Sequence, residues 1–136
     1  MKVKLQPNAT LPARANPSDA GLDITANHDT VIPAGGFAMV RTGIAVEIPE
    51  GHYGALVGRS GLSSKGIFAH YGTIDSGYRG DLGVILFNMT EVGYYVETGA
   101  RIAQLIIHEY IDAGVQLVDE LSDSERGSKG FGSSGV

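Results

Sequence analysis

Residues 71–81 read Tyr71-Gly72-Thr73-Ile74-Asp75-Ser76-Gly77-Tyr78-Arg79-Gly80-Asp81. Two segments rich in apolar and aromatic residues flank this stretch, Ile67–Tyr71 before it and Leu82–Phe87 after it. Ser76-Gly77 supplies a turn signal between them. The pattern therefore predicts a β-hairpin at the centre of the chain.

The hairpin carries one carboxylate, Asp75, between apolar Ile74 and the turn, and the aromatic Tyr78 follows three residues later. A carboxylate fixed beside an aromatic ring suits a general base that acts next to a bound ring. An Asp at a turn also commonly bonds its own backbone. From these residues alone, both interpretations stay open.

Signals along the rest of the chain are nearly all of the β type. Further strands are predicted at Val3–Leu5, Leu22–Ala26, Thr30–Ile32, Phe37–Ile48, Tyr53–Val57, Tyr94–Val96, Ala100–His108 and Val115–Val118. Short strands separated by turn signals predict an all-β fold, a jelly roll or a related sandwich or barrel. The one expected helix is a turn or two after Ser60, with Ser60 as its N-cap.

Composition limits the function classes. A chain of 136 residues is long enough for one domain with a real core, and it contains no cysteine for disulfides or thiolate chemistry. Its net charge of −5 argues against a nucleic-acid surface. No apolar run approaches the roughly 20 residues of a membrane span, and the first residues lack a signal-peptide core. We therefore expect a cytoplasmic protein that binds neither nucleic acid nor membrane.

Two stretches before the hairpin contain candidate site residues. Arg59, Ser60 and Gly61 precede the predicted helix, and a helix start with a cation and a hydroxyl suits an anion. An ordinary capped helix with a solvated Arg explains them equally well. Asp23, in Ala20–Asp23, is an acid at the start of a strand, where a turn or surface acid is the commoner interpretation.

Two stretches after the hairpin are also candidates. Arg101 and Gln104 interrupt an apolar strand, and polar groups there need partners, either structural or in a ligand. The tail from Arg126 onward resembles a glycine-serine linker. A linker has no use for Arg126 or Phe131, which suit a phosphate and a base, respectively.

In this order along the chain, the five stretches resemble the five motifs of the trimeric dUTP diphosphatases (dUTPases). The matching stretches are Ala20–Asp23, Gly58–Leu62, Gly72–Gly80, Gly99–Leu105 and Arg126–Gly135. Together they span almost the whole chain, and five motifs in this order make the resemblance far more specific than any single motif.

The resemblance implies a jelly-roll-like protomer with a β domain at residues 1–124 and a flexible C-terminal lid at residues 125–136. It implies a homotrimer whose sites share residues between chains. The implied reaction is hydrolysis of dUTP to dUMP and pyrophosphate by water attack on the α-phosphate. This reaction would lower dUTP and supply dUMP for thymidylate synthesis, with Mg²⁺ as the cofactor on the triphosphate.

The resemblance also implies roles for individual residues. Asp75 would be the catalytic base, and Asp23 would act near the metal indirectly, through water. The implied substrate-binding residues are Arg59, Ser60, Gly61, Gly72, Thr73, Ile74, Tyr78, Gly83, Gln104, Arg126, Phe131, Gly132, Ser133 and Ser134. Of these, Gly72 to Ile74 and Gly83 would read uracil, and Tyr78 would pack on deoxyribose.

Three positions depart from the usual family pattern: Ala69 where many relatives carry Asn, Gly77 where an acid is usual, and Lys129 where Gly is common. None of them involves Asp75 or Ser60. Two rivals remain: dCTP deaminase, a relative with the same fold, and a non-catalytic jelly-roll module. The complete fifth motif argues against the first, and the joint presence of Asp75, Ser60 and the tail argues against the second.

Overall fold

The structure, a computed structural model, describes residues 1–130. It contains β1 (Lys2–Leu5), β2 (Leu22–Thr25), β3 (Thr30–Ile32), β4 (Phe37–Arg41), β5 (Ile44–Glu47), β6 (His52–Val57), α1 (Ser60–Ser63), β7 (Ile67–Ala69), β8 (Gly72–Ile74), β9 (Gly83–Asn88), β10 (Tyr94–Val96) and β11 (Arg101–Glu109). The predicted all-β fold with one short helix is confirmed.

Two antiparallel sheets form the body of the protein. One has the strand order β2-β11-β6-β8 and the other the order β4-β9-β7. Two further strand pairs, β1-β5 and β10-β3, extend the layers. No helix in residues 1–130 is long and apolar enough to cross a membrane.

Alternation along the strands produces the core. Ile24, Leu56 and Leu105 project from the four-stranded sheet and are at most 3% exposed. Val84 and Leu86 project from β9 and are equally buried. Each such side chain contributes about 1.5–3 kcal/mol through burial, so the body is a rigid support for the loops at its edges.

The central hairpin is confirmed only in its outer part. Segments β7 and β9 do pair, with Phe68 opposite Phe87. Residues Gly72–Ile74, however, leave the hairpin and pair with β6 of the other sheet. The reason is packing: Ile74 lies against the core, opposite Gly54 of β6. A Cβ at Gly54 would come 2.8 Å from Leu105 Cδ1 and 2.9 Å from Ile48 Cδ1, so the core is closely packed at this point.

Two other predicted strands differ from the structure. The single strand Phe37–Ile48 is wrong, because the chain breaks at Gly43, which has φ +67, between β4 and β5. The strand Val115–Val118 is not formed: residues 110–118 have no strand partner within residues 1–130, and Leu117 is 97% exposed. A β-strand without a neighbour has no hydrogen bonds to hold it.

The predicted N-cap is also wrong. Arg59, with φ −105 and ψ 130, is the capping residue of α1, and Ser60 is the first helical residue. No side chain bonds to the free amides of this end. Consequently the Ser60 hydroxyl is not used as a cap.

Candidate active site

Asp75 lies where β8 ends and the chain turns. Its backbone carbonyl accepts a 3.0 Å hydrogen bond from the Tyr78 amide, which closes the turn. Its carboxylate is exposed and has no hydrogen bond or ion pair with any other group in residues 1–130. The side chain therefore does not bond its own backbone, and the structural explanation of this Asp loses its support.

Beside Asp75 is a groove of about 300 Å³. It is lined by Met39, Thr73, Ile74, Asp75, Tyr78, Asp81, Leu82, Gly83 and Ile85. Four predicted substrate-binding residues, Thr73, Ile74, Tyr78 and Gly83, thus meet in one place. Met39 also lines the groove, although nothing in the sequence indicates it. It comes from β4 and reaches the groove because Gly83 has no side chain: a Cβ there would be 2.5 Å from the Met39 sulfur.

Strand β8 forms one wall of this groove and is the last strand of its sheet. Gly72 and Thr73 pair with β6 on one side only. The opposite edge has no strand partner within residues 1–130, so its amide and carbonyl groups are available to a planar ligand with donors and acceptors on its rim.

The Tyr78 ring is fixed from two directions. A Cβ on Gly80 would be 2.5 Å from the ring carbon Cζ, so the ring lies directly over this glycine. The Tyr78 hydroxyl donates a 3.1 Å hydrogen bond to the Asp81 carbonyl. The ring is 44% exposed and offers an apolar face at the rim of the groove.

A second cluster surrounds Asp23, and we call it the Asp23 cluster: Asp23, Arg59, Arg101 and Gln104. The Asp23 carboxylate is 3.4 Å from Arg59 Nε and 3.1 Å from Arg101 Nη1. Gln104 Nε2 donates to the same carboxylate at 3.4 Å, and the side chain of Asp23 is only 11% exposed. Residues from three separate stretches of the sequence are therefore brought together by one carboxylate.

A β-bulge makes this convergence possible. Arg101 and Gln104 are three residues apart, so in a regular strand their side chains would point to opposite faces. The pairing of β11 with β2 shifts register between Arg101 and Ala103, and the extra residue reverses this alternation. Both side chains consequently reach Asp23. No sequence signal marks the bulge, which is why the sequence analysis offered no partner for Arg101.

Gly21 is required by the same packing. A Cβ at Gly21 would lie 2.9 Å from the Gln104 Cβ, closer than side chains approach. The glycine before Asp23 thus lets Gln104 lie flat against the chain.

One carboxylate and two guanidinium groups leave the Asp23 cluster with a net positive charge. Ser60 and Gly61 are exposed next to Arg59 at the start of α1. Arg59 is held in place by a further 3.1 Å hydrogen bond to the Arg101 carbonyl. This arrangement can accept an anion, because its cations are already oriented.

The two clusters lie far apart on one chain. Asp23 is on β2 and Asp75 follows β8, so β11 and β6 separate them, a lateral distance of about 14 Å. Along the strands, Asp23 is level with Val57, whereas Ile74 is level with Gly54. This offset adds ~13 Å, and the two Cα atoms are therefore roughly 20 Å apart.

The described residues contain no ready-made metal cage. Residues 1–130 have no group of three or more His, Asp or Glu side chains that could hold a metal ion. The Asp23 oxygens are occupied by Arg59, Arg101 and Gln104. A divalent cation would therefore need ligands from a bound anion, which suits Mg²⁺ on substrate phosphates.

Within residues 1–130, the tail forms no hydrogen bond or ion pair with either cluster. Arg126 is exposed and donates to the carbonyls of Lys129 and Gly130 at 3.1 and 3.4 Å. The other predicted contacts of the tail, Phe131, Gly132, Ser133 and Ser134, lie outside the described residues.

Comparison with known proteins identifies the family. The dUTPase family model matches residues 7–135. A deoxyuridine 5'-triphosphate nucleotidohydrolase of Paramecium bursaria Chlorella virus 1 is 47% identical over 98% of this chain and 95% of its own length. The enzyme of that name from Clostridium tetani is 41% identical over 99% and 96%.

Solved structures agree in fold. The dUTPase of Staphylococcus bacteriophage 80alpha, solved with dUpNHpp, superposes with a TM-score of 0.94 at 38% identity, over 99% of this chain and 98% of that one. A dUTPase of phage phi11 of S. aureus, described with a structural Mg(II) ion, has a TM-score of 0.83 at 31% identity, over 88% and 96%. The chain therefore belongs to the dUTPase family and is an enzyme that hydrolyses dUTP.

Proposed function

We propose that the chain converts dUTP to dUMP and pyrophosphate by attack of water on the α-phosphorus, with Asp75 as the general base. The observation that carries this proposal is the state of Asp75: an exposed carboxylate without a partner in residues 1–130, at the rim of a groove. A base must be free to take a proton and within hydrogen-bond reach of the water. Asp75 meets the first condition, whereas the carboxylate of Asp23 does not.

Uracil fits the groove by its chemistry. The free edge of β8 at Gly72 to Ile74 offers backbone donors and acceptors, as a pairing base does. Ile85 and Met39 provide apolar surface for the ring faces. Tyr78 would then pack on the deoxyribose and leave no room for a 2′-hydroxyl.

The phosphates are proposed to bind at the Asp23 cluster. Arg59 and Gln104 are oriented there, and the Ser60 hydroxyl and Gly61 amide are exposed beside them. Mg²⁺, when bound, would neutralise charge on the triphosphate, held by phosphate oxygens, with Asp23 reaching it through water.

We further propose a homotrimer in which each site combines residues of different chains. Reacting atoms must approach to about 3–3.5 Å. Phosphates held at one chain's Asp23 cluster are roughly 20 Å from that chain's Asp75. They must therefore be attacked by a water that the Asp75 of another chain activates.

The C-terminal arm, residues 110–121, supports the association of chains. Its apolar side chains Ile111, Val115, Leu117 and Leu121 are 90%, 104%, 97% and 88% exposed. Large apolar side chains exposed together over a segment of this length mark a surface that another protein covers. The surface of a second copy is the proposed cover for these side chains.

The remaining residues, 125–136, are proposed to act as a lid over the bound nucleotide, separate from the β domain of residues 1–124. Four glycines, at positions 127, 130, 132 and 135, raise the conformational entropy that this segment loses when it becomes ordered. Arg126 and Phe131 would recover that cost when base and triphosphate are present.

Pyrophosphate release from dUTP, dCTP, dTTP and UTP, each with and without Mg²⁺, tests this proposal. We expect release from dUTP with Mg²⁺ and much slower release from the other three nucleotides. Ammonia release from dCTP would identify the deaminase instead. No release from any nucleotide would favour a non-catalytic module.

A further inference from the structure

An ion pair between Arg41 and the groove-lining residue Asp81 belongs to none of the five motifs. Arg41 Nε, at the end of β4, is 3.3 Å from Asp81 Oδ2. The Asp81 side chain is 16% exposed and that of Arg41 61%. The Asp81 carboxylate is thus largely removed from water. This makes the ion pair stronger than one in which both groups are fully exposed.

The other carboxylate oxygen of Asp81 is in a costly position. Oδ1 is buried and has no hydrogen-bond partner within residues 1–130. A buried acceptor without a partner destabilises a fold by about 1–3 kcal/mol. This cost offsets part of what the ion pair with Arg41 contributes to stability.

Asp81 is connected to the sugar-packing residue through its backbone. Its carbonyl accepts the hydrogen bond of the Tyr78 hydroxyl. The Tyr78 ring also lies over Gly80, the residue before Asp81. Any movement of residues 80–81 consequently moves the support on which the ring lies.

The next residue is anchored to the strand connection that follows Arg41. The Leu82 carbonyl accepts a 2.6 Å hydrogen bond from Thr42 Oγ1, and the Leu82 amide donates to the Ile44 carbonyl at 2.8 Å. Leu82 is 1% exposed. The Arg41–Asp81 ion pair connects the same two segments one residue earlier. It holds the residue whose carbonyl accepts the hydrogen bond from the Tyr78 hydroxyl.

We propose that Arg41 and Asp81 are positioning residues that fix the Tyr78 ring and so set the discrimination between deoxyribose and ribose nucleotides. The inference rests on the proposed role of Tyr78 at the sugar. Neither side chain needs to touch the nucleotide. Without the pair, residues 80–81 gain freedom, and the ring can move aside for a 2′-hydroxyl.

The test uses the ratio of kcat/KM for dUTP to kcat/KM for UTP. Variants are Arg41→Gln, Asp81→Asn and the double variant, with Arg41→Lys as the conservative replacement. Lys2→Gln is the matched control, because Lys2 and Glu47 form an exposed pair at 2.8 Å on β1 and β5. Tyr78→Ala and Tyr78→Phe report on the ring and on its hydroxyl.

We expect Arg41→Gln and Asp81→Asn each to lower the ratio about three- to fivefold, the effect expected from the loss of one partly exposed ion pair. The double variant should lower it no further, since either change already breaks the pair. Arg41→Lys should retain most of the ratio, and Lys2→Gln should leave it unchanged. Tyr78→Phe should lower it as Asp81→Asn does. A merely structural role would lower melting temperature without changing this ratio.

Two results would overturn the inference while leaving the proposed function intact. One is a ratio that stays at the parental value in Arg41→Gln and Asp81→Asn while Tyr78→Ala changes it. The other is a fully additive double variant. A ratio that Tyr78→Ala does not change would instead overturn the sugar-packing role, and the inference with it.

Discussion

Asp23 and Asp75 are carboxylates of one sheet with opposite surroundings. Asp23 is nearly buried and held by Arg59, Arg101 and Gln104. Asp75 is exposed and has no side-chain partner within residues 1–130. A carboxylate whose oxygens are occupied organises cations, whereas a free one can accept a proton. This difference supports the proposal that Asp23 organises an anion site and that Asp75 is the general base.

The largest expected effect is on Asp75. Asp75→Asn keeps the shape of the side chain without its basicity, so kcat for dUTP should fall about 10²–10⁴-fold. Unfolding free energy should change by no more than about 0.5 kcal/mol, because no contact is lost. Steady-state kinetics and urea unfolding measure both, with Asp123→Asn, at an exposed position beyond the C-terminal arm, as control. Turnover within about threefold of the parent would contradict the base assignment.

Asp23→Asn should lower stability, which Asp75→Asn should leave nearly unchanged. Arg59 and Arg101 would face each other without the charge between them, and the unfolding free energy should fall by about 1.5–3 kcal/mol. Urea unfolding of this variant beside Asp75→Asn is the direct comparison. Equal stability of the two variants would show that the Asp23 cluster is not a structural unit.

Truncation after Glu125 tests whether turnover in the groove beside Asp75 requires the proposed lid. We expect kcat to fall at least about tenfold, roughly 1.4 kcal/mol of lost transition-state stabilisation, with the melting temperature unchanged. Nucleotide affinity should weaken less than turnover, because closure completes the site after binding. Parental kcat in the truncated protein would identify the tail as a linker.

The smallest effect concerns a third carboxylate, Asp29, which is held like Asp23 but away from both clusters. It accepts hydrogen bonds from the Tyr95 hydroxyl and from the Thr98 amide and hydroxyl. These bonds lower the pKa of Asp29 from 3.8 to about 2, and the bond from Tyr95 has the largest effect. Because the pKa is lower in the folded state, the stabilisation exists above about pH 4 and disappears as the pH falls through about 2.

Urea unfolding of the parent and Asp29→Asn at several pH values measures this. The parent should be more stable at pH 7, and the difference should shrink between about pH 4 and pH 2. A constant difference over this range would mean that the ionised form is not what these bonds stabilise.

Local signals predicted much of this molecule. Alternation of apolar and polar residues, together with turn residues, predicts most of the strands. Strand β3, Thr30–Ile32, has the predicted bounds. Tyr78 and Gly83 were placed at the groove through the resemblance, and both line it. These features depend on residues close in sequence or on an ordered set of motifs.

What failed depends on distant pairing. Strand β8 leaves its hairpin and pairs with β6, an earlier strand that no local signal near residues 72–74 indicates as the partner. The β-bulge that brings Arg101 to Asp23 has no residue signature. The predicted strand Val115–Val118 has no partner in residues 1–130, and local propensity cannot supply one.

The central claim is that Asp75 of one chain works with the Asp23 cluster of another, and complementation tests it most directly. Asp75→Asn and Arg59→Gln proteins carrying different tags are co-expressed, and assemblies containing both are purified. If sites combine two chains, each trimer that contains both proteins keeps both residues intact in about one site of three, and dUTP turnover reappears in that proportion. If each chain forms its own site, every site keeps one lesion. Activity no higher than the average of the two separate variants, in assemblies shown to contain both tags, would contradict the account.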